Sequence, residues 1–216
     1  MWDGTTTLSS GSDNKLYVRG TDNTKITGGS NNRWVLTGSN ISCRGNIETL
    51  LNYQTVLNGE HPPMANYCYT YMFYDCHSLI KAPALPATTL ANNCYQNMFS
   101  NCGSLTTAPK LPATTLANSC YDAMFSDCTS LITIPALPAT TLATSCYSSM
   151  FYNCTKIKLS ATKTGTYTKE YRIPTGGTGI TANSALSYMF KSTGGTFEGT
   201  PEINIIYYLD DSNNVV

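Results

Sequence analysis

The sequence predicts an α/β solenoid in which each unit of 26 residues contributes one short parallel strand and one short helix. The heptapeptide Leu-Pro-Ala-Thr-Thr-Leu-Ala occurs at 85–91, 111–117 and 137–143, each time 26 residues after the previous copy. A stretch whose apolar residues recur at helix-like spacing precedes every copy. A repeat period of about 20–50 residues is typical of units that bury their apolar side only by stacking on one another.

The repeated part of the chain is predicted to span 61–200, with copies of unequal quality. Three copies agree along their whole length, a partial copy keeps only the first half, and a degenerate copy has Ala185 and Leu186 in place of Cys and Tyr. In chain order these copies are 68–93, 94–119, 120–145, 146–165 and 185–195. Copies that decay toward the ends indicate terminal units that differ from the central ones.

The first half of each unit is predicted to be a helix. In the second copy four apolar residues fall at i, i+4, i+5 and i+8, on one face of a helix of about two to three turns. These residues are Cys94, Met98, Phe99 and Cys102. Asn92 and Asn93 precede them and can cap the helix.

The second half of each unit is predicted to be extended. Pro109 prevents the helix from continuing and favours an extended conformation at Ala108. The stretch Pro-Ala-Thr-Thr-Leu-Ala then returns the chain to the next helix. We therefore expect the strands of successive units to pair in parallel, about 4.8 Å apart.

The two ends are predicted to cover the exposed edges of this strand row, since an unpaired edge recruits other chains. Residues 1–60 are predicted to form a β-rich cap, because β-prone runs alternate with Gly, Asn and Asp turns, as in antiparallel hairpins. These runs are 15–20, 24–29 and 32–38, and 45–53 adds one or two helical turns. Residues 201–216 are predicted to hold a closing strand. The abrupt start at 1–4 predicts that further strands precede it.

The repeated motif Cys-x-x-x-Met-Phe-x-x-Cys-x-Ser-Leu, with its return through Leu-Pro-Ala-Thr-Thr-Leu, resembles the BspA-like leucine-rich repeat of bacterial cell-surface proteins over roughly 64–200. The variety is similar to one carried by gut Bacteroidetes and their phages. Two features depart from the family: Met-Phe replaces the Ala-Phe of many members, and the unit is longer than the commoner form. The resemblance implies a leucine-rich-repeat array whose strands line a concave face. It also implies attachment and partner binding rather than a reaction.

The charge of the chain argues against several partner classes. Thirteen basic residues balance thirteen acidic ones, and only 12% of residues are charged. Neither nucleic acid nor anionic lipid is therefore a predicted partner. The sequence contains no run of about 18 apolar residues, so membrane insertion is not predicted. The first residues also lack the pattern of a secretory signal. The predicted location is extracellular, on a cell surface or in a virion, reached as a trimmed exported piece or by cell lysis.

The nine cysteines are predicted to be free thiols. Cys94 and Cys102 are eight residues apart, about 12 Å along a helix, whereas a disulfide requires Cα atoms within about 7 Å. Structural zinc sites bring ligands in pairs with about two to four residues between them, and the spacing here is longer. Even the mixed pair of Cys76 and His77 is not predicted to hold a metal. No cofactor is predicted either.

A reaction is not predicted. Asp75, His77 and Ser78 supply the residue types of a hydrolase triad, but side chains so close in sequence point in different directions and do not readily form a relay. The sequence shows no glycine-rich phosphate loop and no paired carboxylates for acid–base chemistry.

Candidate contact residues are those that differ between copies, because recurring residues serve the scaffold. On the strand side we expect a partner-binding surface made of Ile80, Lys81, Thr106, Thr107, Lys110, Ile132 and Thr133. On the helix side Tyr71 and Tyr74 join it, since tyrosine among serine and asparagine is typical of adaptable recognition surfaces. The recurring column of Tyr69, Tyr95 and their equivalents is instead predicted to be half-buried and to pack between units.

The predicted function is a non-enzymatic adhesion or recognition module that binds a protein or glycan partner on a cell or virion surface. The alternative is a structural virion component, such as a decoration, fibre or tail protein, whose repeats serve assembly. Oligomers formed by the chain alone favour the alternative, and a soluble monomer that retains a partner favours the first hypothesis.

Overall fold

The computed structural model describes residues 7–216, so the expectation for residues 1–4 lies outside it. Most of these residues form turns and loops. The helices are the 3₁₀ helices Ser30–Asn32 and Ile47–Leu50 and the α-helix α1 (Tyr53–Leu57). The strands are β1 (Ile41–Ser42), β2 (Leu79–Lys81), β3 (Thr133–Ile134), β4 (Leu159–Ser160), β5 (Tyr167–Arg172), β6 (Ile206–Asp210) and β7 (Asn214–Val215). No helix within 7–216 is long and apolar enough to cross a bilayer.

The strands form small sheets that do not close. Strand β1 pairs in parallel with β2, β3 pairs in parallel with β7, and β6 lies between β4 and β5 in an antiparallel sheet. Each of the parallel pairs joins a strand near one end of the chain to a strand within a sequence copy. The sheets therefore fasten the terminal segments to the middle of the chain.

Consecutive turns replace the helices that the apolar spacing predicted. They form five turn segments, 66–75, 92–101, 118–127, 144–153 and 183–192. In the second, the N–H groups of Tyr95, Asn97 and Phe99 donate to carbonyl oxygens of the third segment, 25 residues further on, at 2.9–3.0 Å. The N–H groups between them donate three residues back within the same segment. Alternate amides thus bond to the neighbouring segment, which an α-helix does not allow.

A left-handed backbone conformation at every fourth residue explains why no helix forms. In the second turn segment Asn93, Asn97 and Asn101 have φ of 57°, 52° and 60°. The other segments carry positive φ at the equivalent positions. Such residues interrupt a right-handed helix. The turns give a period of four, with two residues inward and two outward, and over nine residues this period is close to the 3.6 of a helix.

Strand pairing between neighbouring copies also differs from the prediction. The stretch 105–107 forms no strand, and β2 and β3 pair with β1 and β7 instead of with each other. Contact between copies on this side is limited to features such as the bridge of Thr89 with Thr115 and the bond from the Ile132 N–H to the Thr106 carbonyl, 3.0 Å. The prolines after these strands lack an N–H, which limits the ladder.

The core lies between the turn segments and the return stretches, and stacked aromatic rings run through it. Phenylalanine rings of neighbouring turn segments lie nearly parallel, with centroids 5.5–5.7 Å apart, from Phe73 to Phe190. Tyrosine rings stack likewise at 5.5–5.8 Å, from Tyr69 to Tyr147. The recurring column was predicted to be half-buried, whereas the structure buries these tyrosines almost completely, with at most 1% of their surface exposed.

The cysteines are free, and all except the half-buried Cys43 are buried. One column of thiols has a hydrogen-bonding role. The Sγ atoms of Cys102, Cys128 and Cys154 donate to phenylalanine carbonyl oxygens of the preceding turn segment, at 3.0–3.1 Å. Cys76 donates to the Trp34 carbonyl at 3.3 Å. The thiols therefore join neighbouring segments as well as filling the core.

The N-terminal segment lies against the first turn segment. The runs 15–20, 24–29 and 32–38 form no strands, contrary to the prediction, whereas 45–53 contains a 3₁₀ helix. The amides of Thr27 and Trp34 donate to the Cys68 and Met72 carbonyls at 3.1 and 2.8 Å. In later segments the equivalent carbonyls accept from the preceding segment. The N-terminal segment thus supplies the donors that a preceding copy otherwise provides.

The C-terminal segment lies between the third and fourth copies, where β6 and β7 occupy the region of the predicted closing strand. Asn213 is buried there. Its amide nitrogen donates to the Ile132 and Lys156 carbonyls at 3.0 and 2.9 Å, and its oxygen accepts from the Lys158 N–H at 2.9 Å. One side chain therefore joins both copies to the terminal segment.

Candidate functional site

The outward side chains of the five turn segments form one surface, called the turn face below. Pairs of residues alternate along each segment between the core and the surface, so equivalent residues of the surface pairs form columns across the segments, although Thr70, Ser100 and Ser126 in these columns are buried. One column is Tyr74, Ser100, Ser126, Tyr152 and Lys191. The next is Tyr71, Asn97, Ala123, Ser149 and Tyr188. Within the turn segments, the turn face therefore carries residues that differ between copies, and the core carries those that recur.

An aromatic and cationic cluster occupies the N-terminal end of the turn face. The rings of Tyr71 and Tyr74 meet edge to face with centroids 5.3 Å apart. The Arg33 guanidinium lies over the Tyr74 ring, 5.4 Å from its centroid. The same guanidinium is 3.3 Å from an Asp75 carboxylate oxygen, which fixes its position. Rings held in this way lose little conformational entropy when a partner binds.

A matching cluster occupies the C-terminal end. The Lys191 ammonium lies 5.9 Å from the Tyr152 ring centroid and 5.2 Å from the Tyr188 ring centroid. Tyr188 has 58% of its surface exposed. Both ends of the turn face therefore present tyrosine rings beside a cation.

Small and polar side chains lie between the two clusters. Amide nitrogens donate to carboxylates of neighbouring segments at 2.7–2.9 Å, in the pairs Asn101 with Asp75, Gln96 with Asp122 and Asn153 with Asp127. Burial raises the pKa of Asp122, and the hydrogen bond from Gln96 opposes that rise. The middle of the turn face is therefore a polar floor with little side-chain height.

The strand-side residues predicted to bind a partner do not all remain accessible. Lys81, Thr106, Thr107, Lys110 and Ile132 are exposed, and Ile80 is half-buried. Thr133 is buried, and its hydroxyl oxygen accepts a hydrogen bond from the Ala108 N–H at 2.8 Å. This hydrogen bond takes the place of a backbone bond between strands of neighbouring copies. Thr133 therefore has a structural role, and its predicted role in binding a partner is corrected.

The Tyr71 and Tyr74 side chains are half-buried and lie on the turn face, on a different part of each copy from the strand residues. The structure therefore separates the predicted contact residues into two groups. Of these, the turn-face group adjoins a cation and a carboxylate.

Asp75, His77 and Ser78 do not assemble into a hydrolase triad. The His77 Nε2 lies 3.1 Å from an Asp75 oxygen, so these two side chains do meet. The Ser78 hydroxyl instead donates to the Leu36 carbonyl at 3.3 Å. Across 7–216, no three His, Cys, Asp or Glu side chains converge where they could hold a metal ion.

A second ionisable pair was not foreseen from the sequence. Glu48 is buried, and its carboxylate oxygens lie 2.8 and 3.0 Å from the Nδ1 of His61, whose ring is half exposed. The pair borders a cleft of about 480 Å³ lined by Pro62, Pro63, Met64 and the first Leu-Pro-Ala-Thr-Thr-Leu-Ala copy.

The cations of the two clusters were also not foreseen. Arg33 lies outside the copies, and Lys191 lies in the degenerate copy, where comparison between copies carries little information. The signal available in the sequence was the tyrosine at equivalent positions in the first and fourth copies, Tyr74 and Tyr152.

Comparisons with protein-family models, with curated proteins and with solved structures give no match. The BspA-like resemblance therefore stays a prediction from the repeated motif.

Proposed function

We propose that this chain is a non-enzymatic recognition module that binds a partner on a cell or virion surface through the turn face. One observation carries the proposal: the turn face holds residues that differ between copies, and its two ends present tyrosine rings beside Arg33 and Lys191. Aromatic rings and arginine are the side chains that most often dominate binding energy at interfaces. The partner is a protein or a glycan.

The proposal includes a scaffold of leucine-rich-repeat type, in which the copies form a solenoid. It is supported by the hydrogen bonds that join each turn segment to the next and by the phenylalanine and tyrosine stacks. A fold alone does not establish function, so the proposal depends on the turn face and not on the scaffold.

The test is adhesion to intact cells. The labelled chain is incubated with gut bacteria and with gut epithelial cells, and retention after washing is measured by flow cytometry. We expect retention of the parent and its loss when Tyr74→Ala and Tyr152→Ala are combined. These side chains are half-buried on the surface, so the double variant keeps the core intact.

The matched control is Thr114→Ala, an exposed residue of a return stretch. We expect it to be retained like the parent. Equal retention of the parent and the tyrosine double variant, or no retention of either on any surface, contradicts recognition through the turn face.

The second candidate, a structural virion component, is favoured by exposed isoleucines at the C-terminal end. Ile180 and Ile205 have 67% and 46% of their surface exposed. They flank the paired hydrogen bonds between Gly179 and Asn204, 2.7 and 2.9 Å. Light scattering after gel filtration tests it: a defined oligomer of the chain alone that dissociates with Ile180→Ser and Ile205→Ser favours assembly, and a monomer favours recognition.

A further inference from the structure

The return stretch of the first copy is paired along one edge only. That edge faces the second copy, where Thr89 forms a parallel bridge with Thr115. The Leu90 N–H donates to the Thr115 carbonyl at 3.0 Å. The Thr114 and Thr115 N–H groups donate to the Thr88 carbonyl at 3.0 and 3.2 Å. The amides of the second copy therefore point back toward the first.

The other edge of the first return stretch, called the free edge below, carries the equivalent groups without partners. The repeat makes Thr88 and Thr89 the equivalents of Thr114 and Thr115. Within 7–216 the two N–H groups of Thr88 and Thr89 and the carbonyl of Thr89 form no hydrogen bond. The free edge therefore presents two backbone donors and one acceptor, which is what an added strand requires.

The cleft of about 480 Å³ runs along the free edge, since residues 87–91 line it. Pro62, Pro63 and Met64 of the N-terminal segment line it as well. The two prolines have no N–H, so neither can donate to the Thr89 carbonyl. The N-terminal segment, which takes the place of a preceding copy at the first turn segment, does not do so beside the return stretch.

The lining of the cleft combines apolar side chains with a buried carboxylate. Ala87, Leu90 and Met64 supply apolar surface. Glu48 is only 1% exposed, and the Nδ1 of His61 lies 2.8 and 3.0 Å from its oxygens. No lysine or arginine of the part of the chain that the structure describes lines the cleft. A buried carboxylate without a permanent cation favours a positively charged partner.

We propose that the cleft is a second binding site, which takes an extended peptide of a partner protein that carries a basic residue and, after it, an apolar one. The peptide adds a parallel strand to the free edge, a known mode of peptide recognition. The pairing of the first two copies gives the register. One peptide carbonyl accepts from the Thr88 and Thr89 N–H groups, and the N–H two residues further on donates to the Thr89 carbonyl.

The order of groups along the cleft sets the order of residues in the peptide. The Ile47 N–H donates to the Ala84 carbonyl at 3.1 Å, which places Glu48 near the start of the return stretch. The unpaired groups of the free edge lie further along. A parallel peptide therefore brings its basic residue first, and its apolar residue follows at the position equivalent to Leu90.

The probe is the return-stretch heptapeptide with lysine in place of its proline, Leu-Lys-Ala-Thr-Thr-Leu-Ala, blocked at both ends. It is titrated into the isotope-labelled full chain, and the amide resonances of Thr88 and Thr89 are followed by NMR. We expect both resonances to shift, with a dissociation constant below about 1 mM. Resonances that stay unchanged at about 1 mM peptide overturn the proposal.

Two control peptides test the register and the charge. Methylation of the nitrogen of the second leucine removes the N–H that meets the Thr89 carbonyl, and we expect binding at least about fivefold weaker. Glutamate in place of the lysine brings a like charge toward Glu48, and we expect a similar loss. Undiminished binding of either control peptide overturns the proposal.

A variant tests the free edge from the side of the protein. Thr89→Pro removes an unpaired N–H and cuts no hydrogen bond of residues 7–216, and we expect at least about fivefold weaker binding. The matched control is Thr141→Pro, the same change at the same position of the third copy, outside the cleft. Its N–H also has no partner in the described part of the chain, and we expect parent affinity. Should Thr89→Pro fail to fold, the methylated peptide tests the same edge on the parent.

The site is independent of the turn face, so we expect Tyr74→Ala with Tyr152→Ala to bind the heptapeptide like the parent. Loss of peptide binding in that double variant overturns a separate site. A second copy of the chain is the other possible source of a strand. Oligomers of the chain alone that the heptapeptide dissociates would identify that copy as the occupant and overturn a peptide of a partner protein.

Discussion

At the scale of single residues, the tyrosine stack contains two hydroxyls in opposite situations. The Tyr69 hydroxyl donates to the Ile47 carbonyl at 3.3 Å. The Tyr95 hydroxyl is the buried side-chain polar atom of the described residues that has no hydrogen-bond partner. Burial of an unpaired polar group is costly, whereas a satisfied one contributes modestly to stability.

We therefore expect Tyr95→Phe to leave the free energy of unfolding unchanged or to raise it by about 1 kcal/mol. Tyr69→Phe is expected to lower it by about 0.5–1.5 kcal/mol, because the bond to Ile47 is lost. Urea unfolding followed by circular dichroism measures both. A larger loss for Tyr95→Phe than for Tyr69→Phe would show that the Tyr95 hydroxyl has a partner.

At the scale of elements, Ala123 distinguishes a turn segment from a helix. Its φ is 51°, a conformation that costs most L-residues about 1–2 kcal/mol. Ala123→Gly relieves this cost, so we expect the free energy of unfolding to rise by up to about 1 kcal/mol. In the interior of a helix the same change lowers it by about 1 kcal/mol. The sign of the change, measured by urea unfolding, decides between the two backbones, and a clear loss contradicts the turn segment.

The C-terminal segment supplies a second prediction at this scale. Asn213→Ala removes three hydrogen bonds and leaves the Ile132 and Lys156 carbonyls without that donor. We expect a loss of about 2 kcal/mol or more in the free energy of unfolding. Asn214→Ala, at an exposed position next to it, is the control. Equal small losses for both would mean that the segment is not anchored through Asn213.

The sequence predicted which residues of each copy face inward, but not the backbone that turns them inward. Cys94, Met98, Phe99 and Cys102 are buried, as the spacing indicated. A helix and a four-residue turn repeat place the same residues inward over such a short stretch. Asn93, Asn97 and Asn101 were the available signal for the turns, because asparagine tolerates the left-handed region better than most residues. Ala123 and Tyr71 occupy equivalent positions without that signal.

At the scale of the whole molecule, buried thiols couple stability to pH. Burial raises the pKa of Cys68, Cys94 and Cys146 from near 9 to about 12, and that of Cys43 to about 11. At a pH between the ordinary thiol pKa and the raised one, the folded chain keeps a thiol proton that the unfolded chain releases. Stability is therefore fully present below about pH 8.5 and falls as pH rises, by about 1.4 kcal/mol per pH unit for each such thiol.

We expect cooperative alkaline unfolding, measured as the urea midpoint from pH 7 to 11. Cys94→Ala should reduce the decrease in unfolding free energy with rising pH by the contribution of one thiol, even though the variant is less stable at pH 7. A urea midpoint that stays constant up to pH 10.5 contradicts protonated, buried thiols.

At the same scale, the candidate site could be predicted only in part. Comparison between copies identified Tyr71 and Tyr74, because a difference between copies is visible in the sequence. It could not place Arg33 over the Tyr74 ring, since that contact depends on how the N-terminal segment lies against the first copy. Nor could it show that Thr133 is buried, because its exposure was predicted from strands that pair differently.

The most direct test of recognition through the turn face is hydroxyl-radical footprinting of the chain bound to the cells that retain it, with the free chain as reference. We expect protection of Tyr71, Tyr74, Tyr152 and Tyr188, and unchanged labelling of Ile132 on the strand side. Protection of Ile132 with unchanged labelling of the four tyrosines would place the partner on the strand side and contradict binding at the turn face.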